Sequence, residues 1–158
     1  MDVLEMISED HEKVRQLLEK MTQTGERATK TQSEQFGKLM ALVQAHSKAE
    51  EEVLYPLLLE AEDAREHMLE ALEEHHLAEV MLRELQDSLD HPDHERWTAK
   101  LSVFRTILEY HIDEEEGETF DYAQDLLSEE QLQDLGETFT SQKRSLEESL
   151  SGKMGARS

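Results

Sequence analysis

The chain has no cysteine and little proline, glycine or aromatic content. The lack of cysteine excludes disulfides, thiolate metal sites, iron–sulfur clusters and cysteine nucleophiles. Only two prolines and six glycines interrupt 158 residues, which favours a few long helices. No apolar run approaches the roughly 18 residues of a membrane span, and the acidic first ten residues do not resemble a secretory signal. We therefore expect a soluble, cytoplasmic protein.

Acidic residues dominate the charge. The 38 Asp and Glu residues against 16 Lys and Arg give a formal charge of −22. Nucleic acids and anionic membranes both require a basic surface, so neither is an expected partner. The ordinary interpretation of so much acid is a solvated surface of charge-rich helices. The alternative is that part of it ligates cations, and composition alone does not separate the two.

Hydrophobic periodicity predicts helices over about 3–21, 34–55, 64–89 and 95–116, because apolar residues recur there at spacings of three and four. A fifth helix should run from about 128 to 150, and Pro56 should kink or break the second. The segments 22–33 and 90–93 are predicted loops. The chain is thus expected to be all-α, an up-down-up-down four-helix bundle with a shorter fifth C-terminal helix. Its domain would span 1–150, with a flexible tail at 151–158.

Each of the four long helices carries polar residues where its apolar stripe should continue. The first has one histidine there, and each of the others has a histidine followed four residues later by a glutamate. Residues four apart project from one face of a helix, about 5–6 Å apart at Cβ, so both reach the same ion or neighbouring ions. The inward-facing residues are predicted to be His11, His46, Glu50, His75, Glu79, His111 and Glu115.

The spacing of the four histidines supports convergence on one level of the bundle. The gaps between successive members are 35, 29 and 36 residues, and each matches one excursion along a helix and back. The competing interpretation is a non-metal acidic interaction bundle whose polar residues lie on miscounted faces. Three buried carboxylates without cations would cost several kcal/mol each, which favours metal. The remaining histidines are expected to be solvated: His67, His76, His91 and His94.

Seven side-chain ligands are too many for one tetrahedral zinc ion. Two six-coordinate ions with bridging carboxylates would use them, and mixed imidazole and carboxylate ligation suits iron, and less often manganese. An oxo, hydroxo or water bridge would complete part of each ion's coordination. An open position would then remain for a small molecule such as dioxygen.

Four separated motifs resemble those of the hemerythrin-like HHE cation-binding family, over about residues 1–125. Their order, spacing and helical phase agree, whereas ferritin-like bundles use Glu-x-x-His in the reverse order. The motifs are His11, the run 46–52 with Tyr55 and Pro56, the pair Glu74–His75 with Glu79, and His111 with Glu115, Glu116 and Phe120.

The resemblance implies a ligand set for two irons. His11 and His46 would hold one, His75, Glu79 and His111 the other, and Glu50 and Glu115 would bridge them, with Glu116 as a less favoured bridge. Oxygen-carrying hemerythrins have histidine where Glu79 stands and an aspartate one position after Glu115. An anionic donor at Glu79 favours the ferric state, which implies reaction with dioxygen over reversible carriage.

Residues around the ligands are also candidates for the site. Tyr55 and Tyr110 are expected to contact it, and ligating histidines usually donate their other ring proton to a carboxylate or carbonyl. The carboxylates near enough in sequence are Glu51, Glu52 and Glu74, and the sequence does not choose among them.

The function expected from this site is that of a non-haem di-iron protein that binds or reacts with dioxygen, as a sensor, scavenger or iron reservoir. One alternative is a di-iron enzyme that acts on peroxide or nitric oxide, or a protein that repairs iron centres. The sequence does not decide whether the protein is an enzyme. It also leaves open a homodimer or a separate protein partner.

Overall fold

The structure, a computed structural model, describes residues 1–23, 29–90 and 92–157, without the side chains of residues 29 and 151–157. The part of the chain so described is helical and contains no strand, which confirms the all-α prediction. None of its helices combines the length and hydropathy needed to cross a membrane. The helices are α1 (Val3–Gln23), α2 (Thr29–Val53), α3 (Tyr55–Leu59), α4 (Glu62–Asp87), α5 (His94–Glu114), α6 (Phe120–Leu126) and α7 (Glu129–Arg157).

The predicted break at Pro56 is present and sets the position of a buried tyrosine. Helix α2 ends at Val53, and α3 begins at Tyr55 with Pro56 in its first turn. A proline is tolerated there because first-turn amides have no intrahelical acceptor. The Tyr55 side chain is fully buried, so the change of direction brings its phenol into the centre of the bundle.

A π-helical turn, Glu115–Thr119, follows α5 without a break. The extra residue per turn of such a bulge shifts the face that the helix presents to the core. As a result Glu115 and Thr119 are both buried, while Glu116 between them is partly exposed. Hydrophobic periodicity does not predict this turn, because a π-helix has no strong sequence signature.

The C-terminal helix differs from the prediction in length. Helix α7 has 29 residues and continues to Arg157, whereas we expected a shorter helix that ended near 150. No proline follows Glu129 to stop it. Its start is as predicted, because Ser128 and Gln131 cap each other's backbone amides at 2.8 and 3.1 Å. The expected flexibility of residues 151–158 stays a prediction.

Helix α7 packs along α1 and α2. A Cβ at Gly136 would lie 2.8 Å from the carbonyl oxygen of Met1, so this glycine permits the close approach of α7 to the first residues of the chain. The predicted loop at 22–33 is shorter than expected, because α1 extends to Gln23 and α2 begins at Thr29. The residues between them lie outside the described part of the chain.

Two apolar layers enclose a polar one. One layer contains Ile7, Val53 and Met68, and the other contains Val14, Val43 and Leu82. On α1, α2 and α4 the predicted ligands fall between these positions in sequence. The helices therefore place a buried polar layer between two hydrophobic cores, which fixes the height of each ligand.

Candidate metal centre

Six of the seven predicted ligands converge in the polar layer. They form two overlapping groups, and within each group one nitrogen or oxygen per residue lies within 4.8 Å of the others. All are buried, with side chains from α1, α2, α4, α5 and the π-helical turn. The groups are Glu50, His75, His111 and Glu115, and His11, His46 and Glu115.

The four histidines form two pairs, His11 with His46 and His75 with His111. The carboxylates of Glu50 and Glu115 each contact one histidine from each pair. Glu50 Oε1 lies 2.9 Å from His46 Nε2 and 3.5 Å from His75 Nε2. Glu115 places its two oxygens 3.0 Å from His11 Nε2 and 3.6 Å from His111 Nε2. This is the arrangement expected of carboxylates that bridge two ions.

Every one of the four histidines also contacts a carboxylate through Nδ1, the nitrogen that faces away from the centre. Such a contact fixes the ring orientation and leaves Nε2 free to act as a metal ligand. We call the four residues whose carboxylates make these contacts the outer carboxylates. The pairs are His11–Glu116 at 3.1 Å, His46–Asp10 at 2.8 Å, His75–Glu51 at 3.1 Å and His111–Glu74 at 2.6 Å.

The unsatisfied atoms of the centre fit a cation. His46 Nε2 and both oxygens of Glu50 are buried without a hydrogen-bond partner, although the two residues lie only 2.9 Å apart. Buried polar atoms without partners are costly and uncommon. His75 Nε2 and His111 Nε2 also face each other at 3.1 Å. Cations placed among these atoms would satisfy them, so the residues present fit a metal centre.

The basicity of the rings shows how strongly the centre favours positive charge. Burial would lower the pKa of His46, but the carboxylates of Glu50 and Asp10 raise it to about 10. Burial likewise opposes a raised pKa at His111, yet Glu115 and Glu74 bring it to about 10. In the metal-free protein these two imidazoles therefore carry a second proton and a positive charge at neutral pH. A metal ion that binds them would have to displace that proton.

Tyr55 contacts two of the candidate ligands, as expected from the sequence. Its hydroxyl donates a short hydrogen bond to Glu115 Oε2 and lies 3.2 Å from His75 Nε2. Burial, together with Glu115 and Glu50, holds the pKa of this phenol well above its usual range, so it stays protonated. Tyr110, the other predicted tyrosine, does not contact the centre. It is 60% exposed and donates to Glu114.

Glu79 is the predicted ligand that the structure does not bring to the centre. Its carboxylate lies on the flank of α4, accepts hydrogen bonds from Gln44 at 3.0 Å and Arg83 at 2.9 Å, and is one-third exposed. A surface ion pair explains these contacts, and they place the side chain away from the two ligand groups. The structure therefore brings six of the seven predicted ligands together and leaves Glu79 outside both groups. That Glu79 ligates a metal ion stays a prediction.

Among the predicted outer partners, Glu51 and Glu74 are present and Glu52 is not, since Glu52 accepts from Gln142 of α7 instead. Asp10 and Glu116 were missed. Their signal in the sequence was that each adjoins a ligand, but contact with His46 or His11 depends on how the helices pack. Glu116 serves as a partner of His11 rather than as a bridge.

The other histidines divide into three outcomes. His76 is exposed, as predicted. His67 and His94 are more enclosed than predicted: His67 contacts Thr119 at 2.7 Å, and His94 stacks on Trp97 at 5.8 Å between ring centres. His91 lies outside the described residues.

A cleft of about 850 Å³ lies between α2 and α4 and reaches the outer side of His75. Its walls mix small apolar and charged side chains, and the end of α7 contributes part of its rim. Among its lining residues are Ala45, Ala78, Lys48, Glu51, Glu79 and Leu146. Among the described residues that line this cleft, His75 is the one member of the two ligand groups.

The comparisons with known proteins agree with this site. The sequence matches the family model described as Hemerythrin HHE cation binding domain over residues 2–123. The fold is similar to that of a hemerythrin HHE cation binding domain-containing protein from Mycobacterium kansasii, with a TM-score of 0.81. That match has 22% identity and covers 94% of this chain and 89% of the other, so it establishes the fold. None of the curated proteins matches the chain.

Proposed function

This chain belongs to the hemerythrin HHE cation binding domain family, and from that premise we propose that its centre holds two iron ions and binds or reacts with dioxygen. The observation that carries the proposal is the pairing of the ligands. Two histidines lie on each side, and two carboxylates each touch both sides. One ion would not need two bridging groups, whereas two ions would.

Iron suits this set of donors. The centre offers imidazole nitrogens and carboxylate oxygens without any thiolate, and that mixture fits iron, with manganese as a second choice. Six protein ligands are fewer than two six-coordinate ions require, so positions remain for exogenous ligands. When bound, a pair of ferrous ions would supply the electrons that dioxygen accepts.

The side chains around the ions would perform three tasks. The outer carboxylates orient the imidazoles, so that each Nε2 faces the centre. The two apolar layers exclude bulk water from the polar layer, which strengthens electrostatic interactions within it. The protonated Tyr55 hydroxyl donates its single proton to Glu115, and rotation of that O–H would let it donate instead to a small molecule held beside His75.

The placement of Glu79 changes one earlier argument. An anionic donor at this position would have favoured the ferric state and opposed reversible carriage of dioxygen. In the structure Glu79 bonds to Gln44 and Arg83 outside the centre, so its position there gives no support for a preference for the ferric state. The proposal therefore covers both reversible binding and reaction, and experiment must separate them.

Tyr55 favours a second candidate, an enzyme that acts on peroxide. Reduction of an oxygen–oxygen bond consumes protons, and a buried phenol beside the ligands is placed to supply one. The same residue would serve a protein that only binds dioxygen by stabilising the bound molecule with a hydrogen bond. Turnover of added peroxide distinguishes the two candidates.

The test is metal analysis together with optical spectroscopy. Protein purified in air should contain about two irons per chain and show near-ultraviolet bands that bleach on anaerobic reduction. Re-exposure to dioxygen then separates a stable adduct, which dissociates under vacuum, from simple oxidation. Chelator-stripped protein is the control. Absence of iron, even after anaerobic loading with ferrous ion, would contradict the proposal and leave an acidic interaction bundle.

A further inference from the structure

Helix α7 lies beyond the residues that match the family model, which end at 123, yet it contacts the metal centre. The ring of Phe139 packs edge-on against His46, with 5.9 Å between ring centres. One turn further along α7, Lys143 Nζ lies 2.7 Å from Asp10 Oδ1. Both contacts fall on the same side of the centre, around the His11 and His46 pair.

The Asp10 carboxylate is fully committed to two partners. Oδ1 accepts from Lys143, and Oδ2 accepts from His46 Nδ1 at 2.8 Å. The Asp10 side chain is only 2% exposed, and that of Lys143 is 18% exposed. A buried carboxylate needs a counter-charge, and the ammonium supplies it directly. The same bond fixes the carboxylate plane, which aims Oδ2 at the imidazole.

We propose that Lys143 is a positioning residue for the metal centre, because its bond to Asp10 orients His46 and thereby retains the ion held by His11 and His46. The inference rests on the proposed metal site. Without Lys143, Asp10 can rotate away from His46 Nδ1. The ring then loses the contact that selects Nε2 as the ligand nitrogen. The ion of the His75 and His111 pair should be unaffected, since Glu51 and Glu74 orient those rings.

The chain offers a matched control at the next position. Arg144 is exposed on the same helix, so Arg144→Met removes one positive charge from the same region without touching Asp10. Lys143→Met removes the charge that contacts Asp10, and Lys143→Arg restores a charge and several donors. All variants are made in the full chain and loaded anaerobically with ferrous ion enriched in ⁵⁷Fe.

Two readouts distinguish positioning from a simple tether of α7 to the bundle. The first is the rate at which a chelator removes each ion, and the second is the Mössbauer spectrum, which reports each iron separately. Lys143→Met should release one of its two ions about 10-fold faster than wild type, the lower end of the loss seen when such outer contacts are removed. One iron signal should change and the other should not. Lys143→Arg should recover most of the retention, and Arg144→Met should match wild type.

The outcomes separate this inference from the proposed function. If Lys143→Met keeps both ions at the wild-type rate with an unchanged spectrum, Lys143 does not position His46, and the inference is wrong while the di-iron proposal stands. If wild type binds no iron, the proposed function fails and this inference fails with it. Circular dichroism checks that the variant folds, and Lys143→Gln replaces it should Lys143→Met unfold.

Discussion

The two histidine pairs of the centre have similar ligands but different surroundings. Around His46, helix α7 covers the outside of the pair: Phe139 packs on the ring, and Asp10 is buried beneath Lys143. His11 has a more open partner, since Glu116 is about one-third exposed. This side is closed mainly where α1, α2 and α7 meet.

The His75 and His111 rings are about as buried as that of His46, but both of their outer carboxylates reach solvent. These carboxylates, Glu51 and Glu74, are 40% and 24% exposed. The cleft between α2 and α4 reaches His75, and the Tyr55 hydroxyl lies on this side. The comparison predicts a closed side that retains its ion and an open side that admits small molecules.

The largest effect is expected from Glu50→Ala. Glu50 is fully buried and contacts His46 and His75, one from each side. Its loss removes a donor from both ions and leaves a cavity in the polar layer. The variant should retain at most one iron per chain, measured by metal analysis after anaerobic loading. Two tightly held irons would show that Glu50 does not bridge the two sides.

A smaller, unequal effect is expected when the outer carboxylates are neutralised one at a time. Asp10→Asn removes a buried charge that holds His46, and should weaken metal binding by about 10- to 100-fold. Glu51→Gln removes a charge that is 40% exposed at His75, where water can replace the lost contact. Its loss should be under about 10-fold. Competition with a chromogenic chelator measures both. Equal losses would contradict the contrast between a closed and an open side.

The stability of the metal-free protein should depend on pH, because one histidine on each side of the centre has a raised pKa. The pKa values of His46 and His111 rise from 6.5 to about 10 in the folded state. Their protons therefore stabilise the fold fully below pH 6.5, and this contribution is lost as pH rises toward 10. Glu115 behaves oppositely. Burial would raise its pKa, but interactions with Glu50, His11 and His111 hold the pKa well below 4.5. Its contribution to stability is therefore lost as pH falls through that lowered pKa.

Thermal unfolding of chelator-stripped and iron-loaded protein across this range is the measurement. Only the metal-free protein should lose melting temperature between pH 6.5 and 10, because the ions replace the ring protons. His46→Gln and His111→Gln each remove one of the two contributions, which shows whether the closed and open sides respond alike. If the melting temperature of the metal-free protein rose with pH over this window, the raised pKa values of His46 and His111 in the folded state would be contradicted.

The sequence predicted the helices, and which side chains converge at the centre in most cases, because periodicity is a local signal. Histidine and glutamate four residues apart share one face of a helix, and both members reach the centre from α2 and from α5 with its π-helical turn, whereas from α4 only the histidine does. The role of α7 was not predictable in the same way. Lys143 reaches Asp10 across 133 residues of sequence, and no local spacing encodes that contact.

Helix α4 shows how periodicity failed at one position. His75 and Glu79 were predicted to share the inward face, and the apolar spacing that defines this face runs through Leu72. The buried residues of α4 instead include Ala71 and Ala78, and Leu72 is only partly buried. Small alanines admit a neighbouring helix or side chain, but they carry a weak hydrophobic signal, so the larger Leu72 was favoured. The predicted face was therefore displaced by one residue at both alanines, which placed Glu79 on it instead of Ala78.

The smallest effects are therefore expected from Glu79→Ala and His76→Ala, which sit on the outer side of α4. His76 is exposed, and Glu79 contacts Gln44 and Arg83 at the surface. Neither substitution should change the iron content, and stability should change by about 0.5 kcal/mol or less, as for other surface positions. Metal analysis and thermal unfolding check both. Loss of an iron from Glu79→Ala would show that Glu79 is a ligand, which would require α4 to rotate when metal binds. Loss of an iron from His76→Ala would show that a different face of α4 is directed toward the centre.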